Sequence, residues 1–552
     1  MTNYQFTGGT ICAPATIPGT GAISIIRVSG NEALAIADKI IDTKGVPIAE
    51  TEGYRLRYGT VFEADGSVLD NVIVSVFRAP HSYTGENSVE ISCHASRFIV
   101  NKILELLVNA GARIAAPGEF TRRAFVNGKM DLAQAEAVAD VIASQSAASH
   151  RVAMNQLKGG FSSELKVLRE KLLTMTSLLE LELDFSEEDV EFASRKELGQ
   201  LVDDSLTHIG RLTASFSRGN AIKNGVPVAI VGATNTGKST LLNALLGEER
   251  AIVSDIAGTT RDTIEETLNI DGILFRFIDT AGIRETDETI EKIGIDRTFK
   301  KLGEAAVVLG MTDLSRGEAA VLEDADFILS KVNEMGGVKN VGTVNDGSET
   351  GGDSLAETGG APLVETGGTP PAETGGASQH SRDAGQERKV VILVNKCDVA
   401  GDFYRDDNGT GYGSGNDLGE NMAEIGDNKN VNHDNNIVLL IENKYDNCKV
   451  IPISAKTGKG LSTLTKTLGE IGSEITGSTD ETLVTNVRHY EALVRAASAL
   501  ERVRAGLHIA TLPPDLIAQD LREALYHLGE IVGEISTDET LGNIFRNFCV
   551  GK

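Results

Sequence analysis

At 552 residues the chain is too long for one hydrophobic core, and 41% hydrophobic with 24% charged residues is ordinary for a folded, water-soluble protein of several domains. Its formal net charge of −27 excludes general binding of nucleic acid, which rests on Lys and Arg displacing counterions; an RNA substrate would need a local basic patch or a partner protein. No apolar run reaches about 18 residues, and the opening MTNYQFTGGTICAPAT is neither a secretory nor an import signal, so a cytoplasmic protein without a membrane span is expected.

In chain order, residues 1–128 mix β-branched runs with turns, as in Ala22–Val28, Asn71–Phe77 and Ser88–Ser92. A helical run over Phe98–Val108 precedes the Pro117-Gly118 turn, and an α+β domain is expected. Residues 129–224 turn to long Ala/Leu/Glu/Lys stretches. There Leu165, Leu168, Leu172, Met175 and Leu179 make an apolar seam at helical spacing. The same spacing returns at Leu493, Ala496, Leu500, Val503 and Leu507, within residues 476–552. We read one helical domain interrupted by an inserted α/β domain at 225–475; two separate helical domains are the alternative.

The inserted domain is long for its signatures. ETGG recurs at 349–352, 357–360, 365–368 and 373–376, a strict period of eight with too few apolar residues to build a core. Residues 399–436 are rich in Asn, Gly and Asp. Both this stretch and 336–388 are read as surface insertions. Residues 336–388 hold eight acids and three bases, and 399–448 ten and three, so these segments contribute −12 of the −27. Cys12, Cys93, Cys397, Cys448 and Cys549 are scattered, odd in number and without a CxxC, which fits free thiols.

Four signatures in order carry the chemistry: Gly232-Ala-Thr-Asn-Thr-Gly-Lys-Ser239, Asp279-Thr-Ala-Gly282, Asn395-Lys-Cys-Asp398 and Ser454-Ala-Lys456. The first joins the strand-like Val226–Val231 to a helix from Ser239 to Leu246, so backbone N–H groups and a helix N-terminus face phosphate oxygens. Lys238 is expected to reach the β- and γ-phosphates and Ser239 to ligate Mg2+. Ser254–Asp262 lies where a first switch loop belongs, with Thr260 the second Mg2+ hydroxyl. Asp279, after the strand Ile273–Ile278, would hold the metal through water, and Gly282 N–H meets the γ-phosphate. Asp398 selects guanine, because its carboxylate accepts from N1–H and the 2-amino group, which adenine lacks. Asn395 and Lys396 wall that pocket, and Ala455 N–H meets the base carbonyl oxygen.

The expected GTP-binding set is thus Asn235, Thr236, Gly237, Lys238, Ser239 and Thr240; Ser254, Asp255, Ile256, Ala257, Gly258, Thr259 and Thr260; Asp279, Thr280, Ala281 and Gly282; Asn395, Lys396 and Asp398; and Ser454, Ala455 and Lys456. After Gly282 stands Ile283, which cannot orient water as the glutamine of Ras-type enzymes does. Hydrolysis is therefore lost or served by another side chain, with Glu285, Asp287, Glu288 and Glu291 nearby.

Further segments, with the signatures above, resemble the MnmE (TrmE) family of tRNA-modifying GTPases. They are Gly21–Arg27, Ser82–Glu90, Pro117–Lys129, Asp131–Glu136, Gly258–Asp262 and the terminal Phe548-Cys-Val-Gly-Lys552. The resemblance covers nearly the whole chain outside the insertions. It implies a multidomain fold: an α+β N-terminal folate-binding domain, an α-helical central domain and an inserted Ras-like P-loop GTPase domain. It implies a homodimer joined through the N-terminal domain, which binds 5-formyl- or 5,10-methylene-tetrahydrofolate at Arg27, Glu90, Lys129 and Lys552. It also implies K+ beside the phosphates, at Asn235, Thr259 and the carbonyls of Ser254 and Ile256, where it stabilises transition-state charge. Glu291 becomes the water-positioning catalytic residue, alongside Lys238.

By the same resemblance the protein works with an FAD-carrying MnmG-type partner, in a heterotetramer or larger complex. Together they place a carboxymethylaminomethyl or aminomethyl group on C5 of the wobble uridine of tRNA, with glycine or ammonium as amine donor. The flavin belongs to the partner, since no GxGxxG fingerprint is present here. Cys549 has no base beside it in sequence and is read as an ordinary thiol. The family's usual P-loop proline is replaced by Thr234, which alters loop stiffness and not the phosphate contacts. Two rivals share the signatures. A ribosome-assembly GTPase of the Era or Der type would want a KH-like segment after its GTPase domain, where this chain returns to acidic helices. A GTP-binding scaffold without turnover is opposed by Lys238, Ser239, Thr260 and Glu291.

Overall fold

The computed structural model describes residues 8–63, 65–184, 194–249, 266–278, 305–334, 388–398, 433–445, 448–477, 481–509, 513–535, 537–546, 548 and 551. The chain forms two compact units, Met1–Asn224 with Ile475–Lys552, and Gly225–Glu474. Among the described residues no helix is long and apolar enough to cross a membrane.

The first unit opens with a seven-stranded sheet of β1 (Ile11–Pro14), β2 (Ile23–Ser29), β3 (Ile41–Asp42), β4 (Arg55–Phe62), β5 (Val68–Phe77), β6 (Ser88–His94) and β7 (Arg113–Ile114), in the order β3-β4-β5-β6-β2-β1-β7. All neighbours are antiparallel except β1 and β7. Side chains alternate across the pleat, so Val72, Val74 and Val76 of β5 are buried while Asn71 and Ile73 are exposed. The buried face packs on helices Ala33–Ile40 and Arg97–Asn109, whose Ile36, Ala37, Ile103 and Leu107 join Ile26, Val28 and Ile91 in one core. The other face exposes Ile23, Leu56, Tyr58 and Ile73, and Arg27 and Glu90 share it by register.

Helices fill the rest of this unit: Leu132–Ala143, Ala147–Leu157, Gly160–Asp184, Arg195–Ala214 and Phe216–Asn224 before the second unit, then Val487–Leu507, Pro514–Val532 and Asp538–Arg546 after it. The two apolar seams meet. Leu165, Leu168, Leu172 and Leu179 are buried in the same core as Leu493, Ala496, Leu500 and Val503, with Met175 and Leu507 at its margin. Stops and starts follow from local chemistry. Asp131 and Gln134 form a reciprocal capping box on Leu132–Ala143, while Pro514 opens and left-handed Gly533 closes Pro514–Val532.

The second unit is a doubly wound sheet of β8 (Val226–Gly232), β9 (Glu266–Ile270), β10 (Ile273–Ile278), β11 (Val307–Asp313), β12 (Lys389–Asn395) and β13 (Cys448–Pro452). Their order is β13-β12-β11-β8-β10-β9, parallel but for the β9–β10 pair. That pair turns through Asp271-Gly272, both at positive φ as a tight hairpin requires. β11 and β12 are buried almost throughout, as strands covered on both faces must be. Helices Lys238–Glu249, Glu318–Glu334 and His433–Lys444 lie between strands in sequence, and Leu461–Thr476 follows β13. Helix His433–Lys444 corrects the far end of the expected 399–436 insertion: its first four residues, His433-Asp-Asn-Asn, fall inside that stretch and serve as a polar first helical turn.

Helix Glu318–Glu334 ends and β12 begins on the amino edge of the strands, whereas Asp398 follows β12 on the carboxyl edge, where open α/β sheets bind ligands. Of the expected insertions, residues 336–387 and 399–432 lie outside the described residues.

Candidate guanine-nucleotide site

The site is built at the carboxyl end of β8, where the sheet order reverses and neighbouring connections part to opposite sides. The chain leaves β8 at Gly232, turns through Asn235 at φ +62°, and enters helix Lys238–Glu249. Two glycines make the turn possible. A Cβ on Gly232 would stand 2.3 Å from the Met311 carbonyl oxygen, and one on Gly237, at φ +99°, would stand 2.4 Å from Asn395 Nδ2. The loop is held from inside by Thr236 Oγ1, which donates to Ala233 O at 2.9 Å. Lys238 Nζ donates to the carbonyls of Gly232 (3.0 Å) and Ala233 (2.7 Å), so it lies across the loop crown. Burial lowers its pKa from the usual lysine value.

A second group of side chains ties this loop to the ends of β12 and β13. Asn395 Nδ2 donates to Thr236 O at 2.7 Å, while its Oδ1 accepts from Ala455 N at 3.0 Å. Asn395 is therefore a staple between three loops. Ala455 N–H, which the sequence assigns to the base carbonyl oxygen, is engaged by that staple. Asp398 accepts from Ser454 Oγ at 2.7 Å, and this hydrogen bond, ahead of the nearby lysines, holds its carboxyl below the usual range. The carboxylate is thus ionised and pinned, as an acceptor for two N–H donors must be. Lys396, at φ +65°, reaches Asp313 Oδ2 at 2.6 Å. Asp313 closes β11 and was not legible as a site residue, because its partner lies 83 residues away. Burial works upward on its carboxyl, but Lys396 and Ser315 outweigh this and hold it low.

The structure brings together Asn235, Thr236, Gly237, Lys238, Ser239 and Thr240 with Asn395, Lys396, Asp398, Ser454, Ala455 and Lys456 in one unit. Ser254–Thr260, Asp279–Gly282 and Glu291 lie outside the described residues, as do Lys552 and Cys549. Ser239 stands in the first turn of its helix, and its hydroxyl is a hard oxygen donor of the kind Mg2+ takes. Asn235 offers an amide oxygen on the same loop, a donor suited to K+; the other assigned ligands of both ions are beyond the described residues.

In the first unit, Arg27 and Glu90 are cross-strand partners on β2 and β6, bridged at 2.9 Å. The Arg27 guanidinium lies over the rings of Tyr83 (5.0 Å) and Phe120 (5.6 Å). Lys129 Nζ donates to Pro80 O at 3.0 Å. The tail reaches the same end of the sheet: Gly551, at φ +101°, packs so tightly that a Cβ would stand 2.0 Å from Pro14 O, and Pro14 and Ala13 pair with Ile26 and Arg27. A half-buried ionic net joins Glu86, Arg123, Glu119 and Arg113, with the buried Arg123 bridging Glu86 and Glu119 at 3.0 Å each. Sequence reasoning missed this net, although Glu86, Glu119 and Arg123 sit in the Ser82–Glu90 and Pro117–Lys129 segments.

A six-stranded sheet of this order, with a glycine-bent loop between its first strand and helix, defines a P-loop domain of the GTPase type. Comparison with known proteins carries the assignment further. Residues 10–129 match the family described as GTP-binding protein TrmE N-terminus, and residues 132–549 match the MnmE helical domain. A tRNA modification GTPase MnmE of Parabacteroides distasonis is 44% identical over 98% of this chain and 100% of its own length. That of Bacteroides thetaiotaomicron is 44% identical over 98% and 99%, and that of Porphyromonas gingivalis 42% over 100% and 99%. The chain belongs to the MnmE family of tRNA modification GTPases.

Proposed function

We propose that this protein hydrolyses GTP in the service of tRNA modification, as a K+-activated enzyme acting with an MnmG-type flavoprotein on the wobble uridine, position 34. The observation that carries this reading is full-length likeness to tRNA modification GTPases, coupled to a pinned, ionised Asp398 beside a glycine-bent phosphate loop. In this reading the loop from Asn235 to Thr240 takes the phosphates and Lys238 swings from the loop carbonyls to the β- and γ-oxygens. Ser239 and Thr260 hold Mg2+, which neutralises developing charge when bound. Asp279, Thr280, Ala281 and Gly282 close on the γ-phosphate side. Asp398 and the Ser454-Ala-Lys456 loop select guanine. Glu291 orients the attacking water, supplying what Ile283 cannot. Asn235 with Ser254, Ile256 and Thr259 holds K+, which supplies positive charge to the transition state.

The first unit supplies the rest. Arg27, Glu90, Lys129 and Lys552 receive a reduced folate, a cationic group for its glutamate carboxylates and one carboxylate for its pterin donors. The packing of Gly551 against Pro14, beside the Arg27–Glu90 pair, supports this grouping. The exposed Ile23, Leu56, Tyr58 and Ile73 on the same sheet face support homodimerisation through this domain. A cytoplasmic site of action follows from the substrate. The test is reconstitution of the protein with its flavoprotein partner, GTP, a reduced folate and unmodified tRNA, followed by nucleoside mass spectrometry. A carboxymethylaminomethyl- or aminomethyluridine that requires GTP is expected; unmodified uridine in the complete mixture would refute the reading.

A further inference from the structure

The chain crosses between its units twice, leaving the first after Asn224 and returning at Ile475. Within the first unit both crossings are fastened to one helix, Leu132–Ala143. On the outgoing side Lys223 donates to Asp140 at 2.8 Å. On the returning side Arg488 and His489, in the first turn of Val487–Leu507, both hold Glu136. Arg488 does so in a fork, Nε to Oε1 at 3.0 Å and Nη2 to Oε2 at 2.9 Å, and His489 Nε2 lies 2.7 Å from Oε2. Glu136 and Asp140 are one helical turn apart and share a face. Ahead of Arg488 the returning segment is seated as tightly, since a Cβ on Gly219 would stand 2.1 Å from Val484 O.

Charges this deep do little for stability that apolar packing would not match; what they fix is geometry. Glu136 is 9% exposed and His489 1%. Burial raises the Glu136 carboxyl, but His489 and Arg488 outweigh it and hold it down at about 2. At the opposite end the same helix begins three residues after Lys129. Its Leu132 and Ala135 pack on Leu541 and Phe545, in the helix that leads to Gly551. Twelve residues make a rod about 18 Å long, capped at Asp131.

The geometry points to Leu132–Ala143 as a lever: a shift at either crossing, set by the nucleotide state of the second unit, travels along this helix and changes the grip on the carbon carrier at its Lys129 end. Glu136, Asp140, Lys223, Arg488 and His489 are positioning residues in this device. The inference rests on the carrier site proposed above, and reciprocity requires that carrier binding also shift nucleotide affinity by the same factor.

The test follows amide hydrogen exchange over residues 132–143 in the full chain, with GDP and with a non-hydrolysable GTP analogue, beside the affinity for 5-formyltetrahydrofolate in each state. Wild type is expected to differ between the two nucleotides in exchange, and by about fivefold or more in folate affinity. Lys223→Met should abolish both differences while affinity for the analogue is unchanged. Lys223→Asp combined with Asp140→Lys should restore them, which a merely structural role would not predict. Identical exchange with both nucleotides in wild type overturns the lever, and so does a difference that survives in Lys223→Met. A wild-type protein that never binds the folate overturns the carrier reading and the far end of the lever with it, while the exchange arm still decides the coupling along the helix.

Discussion

Gly237 and Asn395 interlock: the glycine has no side chain because the asparagine amide occupies that space, and the asparagine holds the phosphate loop by its Thr236 carbonyl. Gly237→Ala should therefore displace Asn395 and strain the loop at φ +99° together. Isothermal titration is expected to show GTP affinity reduced at least about tenfold, with the first unit unaffected. Asp398 makes a sharper case. Asp398→Asn removes the acceptor for N1–H and the 2-amino group and leaves an amide NH2 that suits the C2 carbonyl of xanthine. GTP binding should weaken by about 3 kcal/mol with a gain for XTP, read by competition against a labelled nucleotide. His489 gives a pH signature. Burial lowers its folded pKa below the ordinary 6.5, so below that value the unfolded chain binds a proton that the folded chain refuses. Stability then falls as pH drops from about 6.5 toward the folded value, and Tm of His489→Gln should vary less between pH 7.5 and 5.5 than that of wild type.

At the scale of elements, periodic segments were legible and long-range ties were not. The seams Leu165–Leu179 and Leu493–Leu507 follow helical spacing, and the structure buries them in one core. Strand runs such as Val226–Val231 and Ile273–Ile278 fall on β8 and β10, because parallel strands covered on both faces must be apolar throughout. Leu500→Ala should cost about 2–5 kcal/mol of unfolding free energy in the first unit, by denaturant titration. The ionic net of Glu86, Arg123 and Glu119 could not be read, because Arg123 finds Glu86 across 37 residues and no local pattern announces it. The terminal Cys-Val-Gly-Lys was visible as a signature, but its physical reason was not: Gly551 is glycine because the Pro14 carbonyl lies where a side chain would start. Gly551→Ala should dislodge the tail and weaken reduced-folate binding by about tenfold or more, while GTP turnover holds; equal loss of both would place the tail elsewhere in the mechanism.

For the whole molecule, connectivity separates the two insertions by consequence. The described residues on either side of the ETGG-bearing stretch, Glu334 and Lys389, are on the amino edge of the second sheet, while the Asn/Asp-rich stretch follows Asp398 in sequence, on the carboxyl edge. Joining residue 335 to 388 through a short Gly/Ser linker should leave GTP turnover within about twofold, since lengthening or shortening a surface loop changes closure entropy only slowly. A large loss would mean that this insertion takes part in the reaction. The net charge of −27 is divided just as unevenly: −12 of it lies in or beside the insertions, which leaves −15 on the rest of the chain.

GTP turnover by the purified full chain, in potassium and in sodium at equal ionic strength, separates a K+-activated hydrolase from a passive GTP binder. Strong activation by potassium alone is expected, lost in Asn235→Ala with nucleotide binding retained, and turnover should be nearly abolished in Glu291→Ala. Equal, slow turnover in both salts would contradict it and favour a GTP-binding scaffold.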